Sequence, residues 1–177
     1  MSAYVNWVES YPILSAIVQF AILGTIGEII SNYIRKGTKA GFPFKALELL
    51  GKMIAWAALG AIIKYAFVGF VGFHKAIMEH SLLPAFFALP FFRAFFISAS
   101  MNILFGPQMM FFHRLEDSIL AGQMGFSNMK RPILTLLWFW IPAHTVTFLL
   151  PPVFRIGPAA LWSIVLGVIL GWYARRA

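Results

Sequence analysis

The sequence predicts an all-α integral membrane protein, a bundle of about five transmembrane helices forming one domain over residues 1–177, and three observations carry that prediction. Hydrophobic residues make up 60% of the 177 and charged residues only 11%, with a mean hydropathy of +0.81, more apolar than a soluble domain of this length sustains. The apolar runs reach 18 residues or more, the length a helix needs to cross a bilayer, and lack the alternation of an outer-membrane barrel. The Lys and Arg residues sit at the ends of those runs rather than in one patch. The net charge of +8 therefore reads as topology signals and anchors for anionic lipid headgroups, and a nucleic-acid partner is excluded.

The first span covers Tyr11 to Ile34, led in by Trp7 and Tyr11 and closed by Arg35 and Lys36. No Lys or Arg precedes it, so it is expected to be retained rather than cleaved as a signal peptide. Gly24 and Gly27 are small residues that let another helix approach closely. Glu28 lies about two turns inside the end of the span.

Residues 37–52 are expected to form a basic, amphipathic connector along the membrane surface. The second span, Met53 to Phe73, offers Gly60, Gly69 and Gly72 as packing positions and carries Lys64 near its middle. A lysine at that depth costs several kcal/mol unless it snorkels or finds a partner. A short polar turn is expected at 74–80.

The third span runs from Leu82 to Phe112, 31 residues against the roughly 20 a straight helix requires. Pro90 and the Gly106-Pro107 pair predict that it is kinked or broken. Arg93 stands near its head. Ser98, Ser100 and Asn102 form a polar stripe suited either to a water-lined path or to hydrogen bonding between helices.

Residues 113–131, beginning with His113 and Arg114, are expected to be a loop ending in Lys130-Arg131-Pro132. The fourth span, 132–150, holds Trp138, Trp140, Pro142, His144, Thr145 and Thr147. Pro158 opens the fifth, which ends on Arg175-Arg176. With the N-terminus outside and the C-terminus inside, ten Lys and Arg fall on the inner side and two, Lys75 and Arg155, on the outer. That bias is the one bacterial and organelle inner membranes impose.

Glu28, Lys64 and Arg93 remain as intramembrane charges, expected to meet either as the lining of a polar path or as an ion-pair lock between helices. With Ser98, Asn102, His113 and His144 they are the candidate polar-path residues, and Gly106-Pro107 is the candidate break. The four histidines offer no i, i+4 pair, so no metal site is expected. No cofactor motif, nucleophile motif, phosphate-cradling loop or paired carboxylates point to an enzyme. Cysteine is absent, which excludes disulfides and thiolate metal sites. The segments 67–79 and 105–117 share an aromatic helix end followed by Phe-His and a basic residue, a hint of internal repetition.

Several short motifs across nearly the whole chain resemble the Mpv-seventeen and 22-kDa peroxisomal membrane protein family. They are Tyr11-Pro12; the Gly-Glu-Ile-Ile-Ser run at 27–31; Arg93; Gly106-Pro107 with the aromatic, basic and acidic residues at 112–117; and Trp140, Phe148, Pro152, Arg155 and Trp172. The chain departs from the family pattern at Phe112-His113, His144 and Thr147, and residues 67–75 compete with 106–114 for one motif. The resemblance implies a channel or pore-like protein for small polar or anionic metabolites in a mitochondrial or peroxisomal type of membrane. Lipids, an unspecified small solute and a second copy of the chain are the expected partners. Two alternatives stand beside it: a non-transporting structural or lipid-interacting membrane protein, and a five-helix small-ligand receptor of the tryptophan-rich sensory type.

Overall fold

The computed structural model describes residues 2–36, 42–120 and 130–176, and these are helical with no strand among them. Helix α1 spans Ala3–Ser10 and α2 Pro12–Lys36; α3 spans Ala46–Glu79, α4 Pro90–Leu104 and α5 Gly106–Leu120. After them come α6 at Lys130–Thr135, a π turn at Leu136–Trp140, α7 at Ile141–Leu149 and α8 at Ile156–Arg176. Among the described residues, two helices are long and apolar enough to cross a membrane, Pro12–Ile34 and Ala46–Glu79, or three if the bent pair Pro90–Leu104 and Gly106–Phe112 is one span. Ile133–Leu149 and Pro152–Val165 are shorter apolar helices. The chain divides into two compact units, Met1–Ile62 with Ile156–Ala177, and Ile63–Arg155.

In the first unit, Ser2 caps α1 by accepting from the Val5 amide, and Tyr11 closes it by donating its amide to the Trp7 carbonyl. Pro12 then opens α2, where its missing N–H would have had no helical partner. Small residues set the packing. A Cβ on Gly27 would lie 3.2 Å from the Ile164 Cα of α8; on Gly60, 2.7 Å from the Ala16 carbonyl oxygen; on Gly24, inside the Trp56 ring. Ala16, Phe20, Leu59, Ala159 and Ala160 of these helices are buried.

Helix α3 differs from the expected connector, span and turn. It is one uninterrupted helix of 34 residues, so residues 46–52 and 74–79 belong to it and not to a surface connector or a polar turn. The stretch lacks proline, and its helix-forming residues continue through both charged ends, so nothing breaks the backbone ladder. It stops at a Schellman closure: the Leu82 amide donates to the Ile77 carbonyl and the Ser81 amide to Met78, with Ser81 left-handed at φ 56°. Gly69 and Gly72 have nothing within 4 Å of a built Cβ, so they are not the packing positions expected of them.

In the second unit, Pro90 does not kink a longer helix. It occupies the first position of α4, after a 3-10 turn at Ala85–Ala88, and a proline there begins a helix at no cost in hydrogen bonds. The second expected break is real. The axes of Pro90–Leu104 and Gly106–Phe112 differ by 48°, because Pro107 has no N–H for the Ile103 carbonyl and its ring crowds that oxygen. Gly106 lets Leu136 press in, 2.8 Å from where a Cβ would stand. The region 113–131, expected as a loop, is helical up to Leu120; residues 121–129 lie outside the described residues.

The fourth apolar run is helical from Lys130 to Leu149 but carries the π turn, in which the Ile141 amide donates to the Leu136 carbonyl five residues back. Pro142 cannot donate to Trp138 and pushes its carbonyl away, and the wider turn absorbs the displacement.

Across both units the polar side chains Ser15, Thr25, Ser98, Asn102, His144, Thr145 and Thr147 are buried, whereas Leu14, Ile54, Val68, Phe91, Ile103, Leu137, Trp138 and Val146 are exposed. Water would select the reverse. Polar side chains buried beside the apolar core, with many large apolar ones exposed, is a distribution that suits lipid as solvent, because tails solvate Leu and Phe as well as a protein interior does.

Candidate functional site

The charges expected within the apolar spans divide between the two units. In the first, Glu28 of α2 forms an ion pair with Lys52 of α3 and accepts from Trp56 Nε1 at 2.7 Å. The ammonium of Lys52 also lies over the Phe44 ring, 5.3 Å from its centroid. Lys52 and Trp56 are one turn apart on α3, so both reach the same carboxylate. Glu28 is thus paired within its own unit, by a lysine that sequence reading placed in the surface connector. Lys64 and Arg93, with which it is expected to meet, belong to the other unit.

Lys64 and Arg93 share the second unit with a third cation, Arg155. The Arg155 guanidinium donates through Nε to the Leu150 carbonyl at 2.9 Å and through Nη2 to Phe148 at 3.3 Å, and lies over the Phe148 ring at 5.5 Å. It therefore caps the C-terminal carbonyls of α7, where a cation is favoured. Burial first, and the Arg93 charge second, lower its pKa from the ordinary value; the Arg155 charge in turn acts on Lys64. Phe148 packs on Phe67, with centroids 4.8 Å apart, one turn along α3 from Lys64. Lys64 and Arg155 are half-buried and Arg93 is exposed. Among the described side chains none of the three has a carboxylate partner; the ion pairs there are Glu28 with Lys52 and Glu79 with Lys75.

The structure brings Ser98, Asn102 and His144 together. Ser98 and Asn102, four residues apart, share one face of α4, whereas Ser100 at i+2 does not. Ser98 Oγ donates to the Ile141 carbonyl at 2.7 Å, an oxygen that also accepts from Thr145 Oγ1. Asn102 Nδ2 donates to the Ser98 carbonyl at 2.9 Å and meets His144 Nδ1 at 3.2 Å. An amide nitrogen only donates, so His144 Nδ1 accepts and the neutral ring carries its proton on Nε2. Trp140 stacks on that ring at 5.1 Å and Phe67 meets it edge-on at 5.6 Å. The indole N–H of Trp140, at the end of the π turn, is buried without a hydrogen-bond partner among the described residues.

His113 falls on α5, and its side chain lies outside the described residues. Among the described residues no three His, Asp or Glu side chains gather as metal ligands do. His74, buried, donates from Nε2 to the Phe87 carbonyl at 3.1 Å and packs on Phe96.

Sequence reading missed Lys52, Trp56 and Arg155. Lys52 follows Glu48 and precedes Trp56 at four-residue spacing, a helical signal that the choice of a surface connector hid. Arg155, which follows Pro151 and Pro152, reads in the sequence as an outer-side charge and a motif residue; nothing local shows that it folds back on α7. These features define, among the described residues, an all-helical protein with two to three helices of membrane-spanning length, with buried polar groups and half-buried cations in its second unit. Compared with protein-family models, curated proteins and solved structures, the chain matches none.

Proposed function

We propose that the protein is a multi-pass membrane protein that passes small polar or anionic solutes, acting as a channel or pore-like protein. The observation that carries this reading is the group Lys64, Arg93 and Arg155, three cations in one unit with no carboxylate facing them among the described side chains. Uncompensated charge within an apolar helical unit is expensive, and where it persists it marks an ion or solute path. The Ser98-Asn102-His144 network adds neutral hydrogen-bonding groups to the same unit. Five crossings are supported by the continuous helix from Lys130 to Leu149 and by the 21 residues of α8, lengths near the ~20 residues a bilayer requires. The placement of Lys and Arg supports an outside N-terminus, and the family resemblance supports an inner or organelle membrane.

Reconstitution into liposomes tests this directly. Anions should enter faster than cations of the same size, and Lys64→Gln and Arg93→Gln should slow them. Entry no faster than into protein-free vesicles, or equal for both signs of charge, would reject it.

A second reading, a non-transporting scaffold, is favoured by two closed arrangements: Glu28 held by Lys52 and Trp56, and Arg155 capping α7. In that case vesicles stay tight while the same substitutions lower stability.

A further inference from the structure

Resting on the anion-passing reading above, we infer that Lys64, Arg93 and Arg155 form a receptor for a tetrahedral oxyanion carrying two or more negative charges, a phosphate or sulfate group. The three belong to one unit, and no carboxylate among the described side chains balances them. Arg93 lies in the first turn of α4, a turn that holds no acidic residue. That is the positive end of a helix dipole, the end at which a cation is disfavoured and an anion favoured. The placement weakens α4 unless something negative sits there.

Arg155 supplies the rigid part. Two backbone carbonyls and the Phe148 ring fix its plane, while Nη1 makes no hydrogen bond among the described residues and is left for a ligand. A guanidinium already locked loses little freedom when it binds, and its planar fork matches the oxygens of an oxyanion. Phe67, packed on Phe148, links this group to Lys64 one turn away on α3.

Ligand charge and shape follow from the three donors. A halide leaves most of the positive charge unbalanced and offers no directed lone pairs, and a single carboxylate presents two oxygens in one plane to one guanidinium. A tetrahedral dianion presents oxygens in several directions, enough for two guanidinium groups and an ammonium at once. A free solute and a lipid headgroup both supply this chemistry.

The test uses the whole chain, purified and reconstituted into phosphatidylcholine vesicles. Parent, Lys64→Gln, Arg93→Gln and Lys64→Arg are compared, each first checked for helical content and for a single peak on size exclusion. Sulfate binding is measured by titration calorimetry in detergent, and sulfate and chloride uptake in the vesicles. Sulfate should bind the parent well above chloride. Each Gln variant should weaken it about tenfold, the factor carried by one charge-assisted hydrogen bond, and Lys64→Arg should restore it.

If sulfate binds and also crosses, the occupant is a free solute. If native mass spectrometry instead finds phosphatidic acid retained by the parent and lost from both Gln variants, the occupant is a headgroup; either result supports the receptor. Sulfate bound no better than chloride with no phosphatidic acid retained, or either ligand held equally by all variants, overturns it. In that event charge-selective chloride uptake would leave the anion-passing reading standing, whereas no anion uptake at all would remove both.

Discussion

Replacing Glu28 by Gln separates a lock between helices from a solute path. Glu28 and Lys52 are paired with side chains 19% and 11% exposed, and removing one partner of a buried pair costs about 3–5 kcal/mol, because the other charge stays behind. Here the substituted amide keeps an oxygen for Trp56 Nε1, and Lys52 keeps the Phe44 ring at 5.3 Å, a contact of about 1 kcal/mol. The expected loss is therefore about 2–4 kcal/mol. Equilibrium unfolding of the purified protein in detergent micelles, followed by circular dichroism, measures it. Adding Lys52→Met removes the second charge while keeping the apolar stem, so the double variant should recover most of the loss. Solute uptake per folded molecule should not change in E28Q, since the carboxylate is already committed. A Glu28→Gln protein within about 0.5 kcal/mol of the parent, or a double variant less stable than E28Q, would refute the lock; slower uptake in a fully stable E28Q would return Glu28 to the path.

Other substitutions probe packing, the buried network and a half-buried phenol. Gly60→Ala should destabilise by about 1–3 kcal/mol, as the new methyl meets the Ala16 carbonyl and Phe20 Cβ at 2.7 Å. Gly69→Ala, which meets nothing, should be neutral or stabilising by up to about 1 kcal/mol; equal effects in thermal unfolding would contradict this geometry. Asn102→Ala deprives His144 Nδ1 of its donor and should cost about 1–3 kcal/mol. In the parent, nitrogen NMR of His144 should show the proton on Nε2, and a proton on Nδ1 would disprove the network. Burial raises the Tyr4 phenol pKa above its ordinary value of 10.0, so the stability it contributes is full below that value and lost as pH climbs through the raised one. Absorbance titration should show a late-ionising tyrosine that disappears in Tyr4→Phe; an unchanged upper limb would argue against it.

Residues near one another in sequence announced their structure. Pro107 has no N–H wherever it stands, so the break beside Gly106 is forced locally, and the 48° bend follows. Pro90 carries the same chemistry, yet a proline either kinks a helix or begins one. Whether the preceding residues continue the helix decides which, and Ala85–Ala88 forms a separate 3-10 turn. Ser98, Ser100 and Asn102 read as one stripe, of which helical period keeps Ser98 and Asn102 on one face; that His144 meets them was not legible, because the contact joins residues 42 apart.

What the sequence determined by itself is the helical, apolar character of the chain and the identity of its costly groups: Glu28, Lys64, Arg93 and the polar residues of α4 and α7. Those follow from composition and from helical period, which need no knowledge of neighbours. The tertiary structure alone decided the partners. Glu28 finds Lys52 and Trp56, and Arg155 turns back onto α7 to hold its last carbonyls. A charge states only that it needs compensation; which group provides it depends on helix rotation and crossing, and those are set by where glycines such as Gly24, Gly27 and Gly60 let backbones approach.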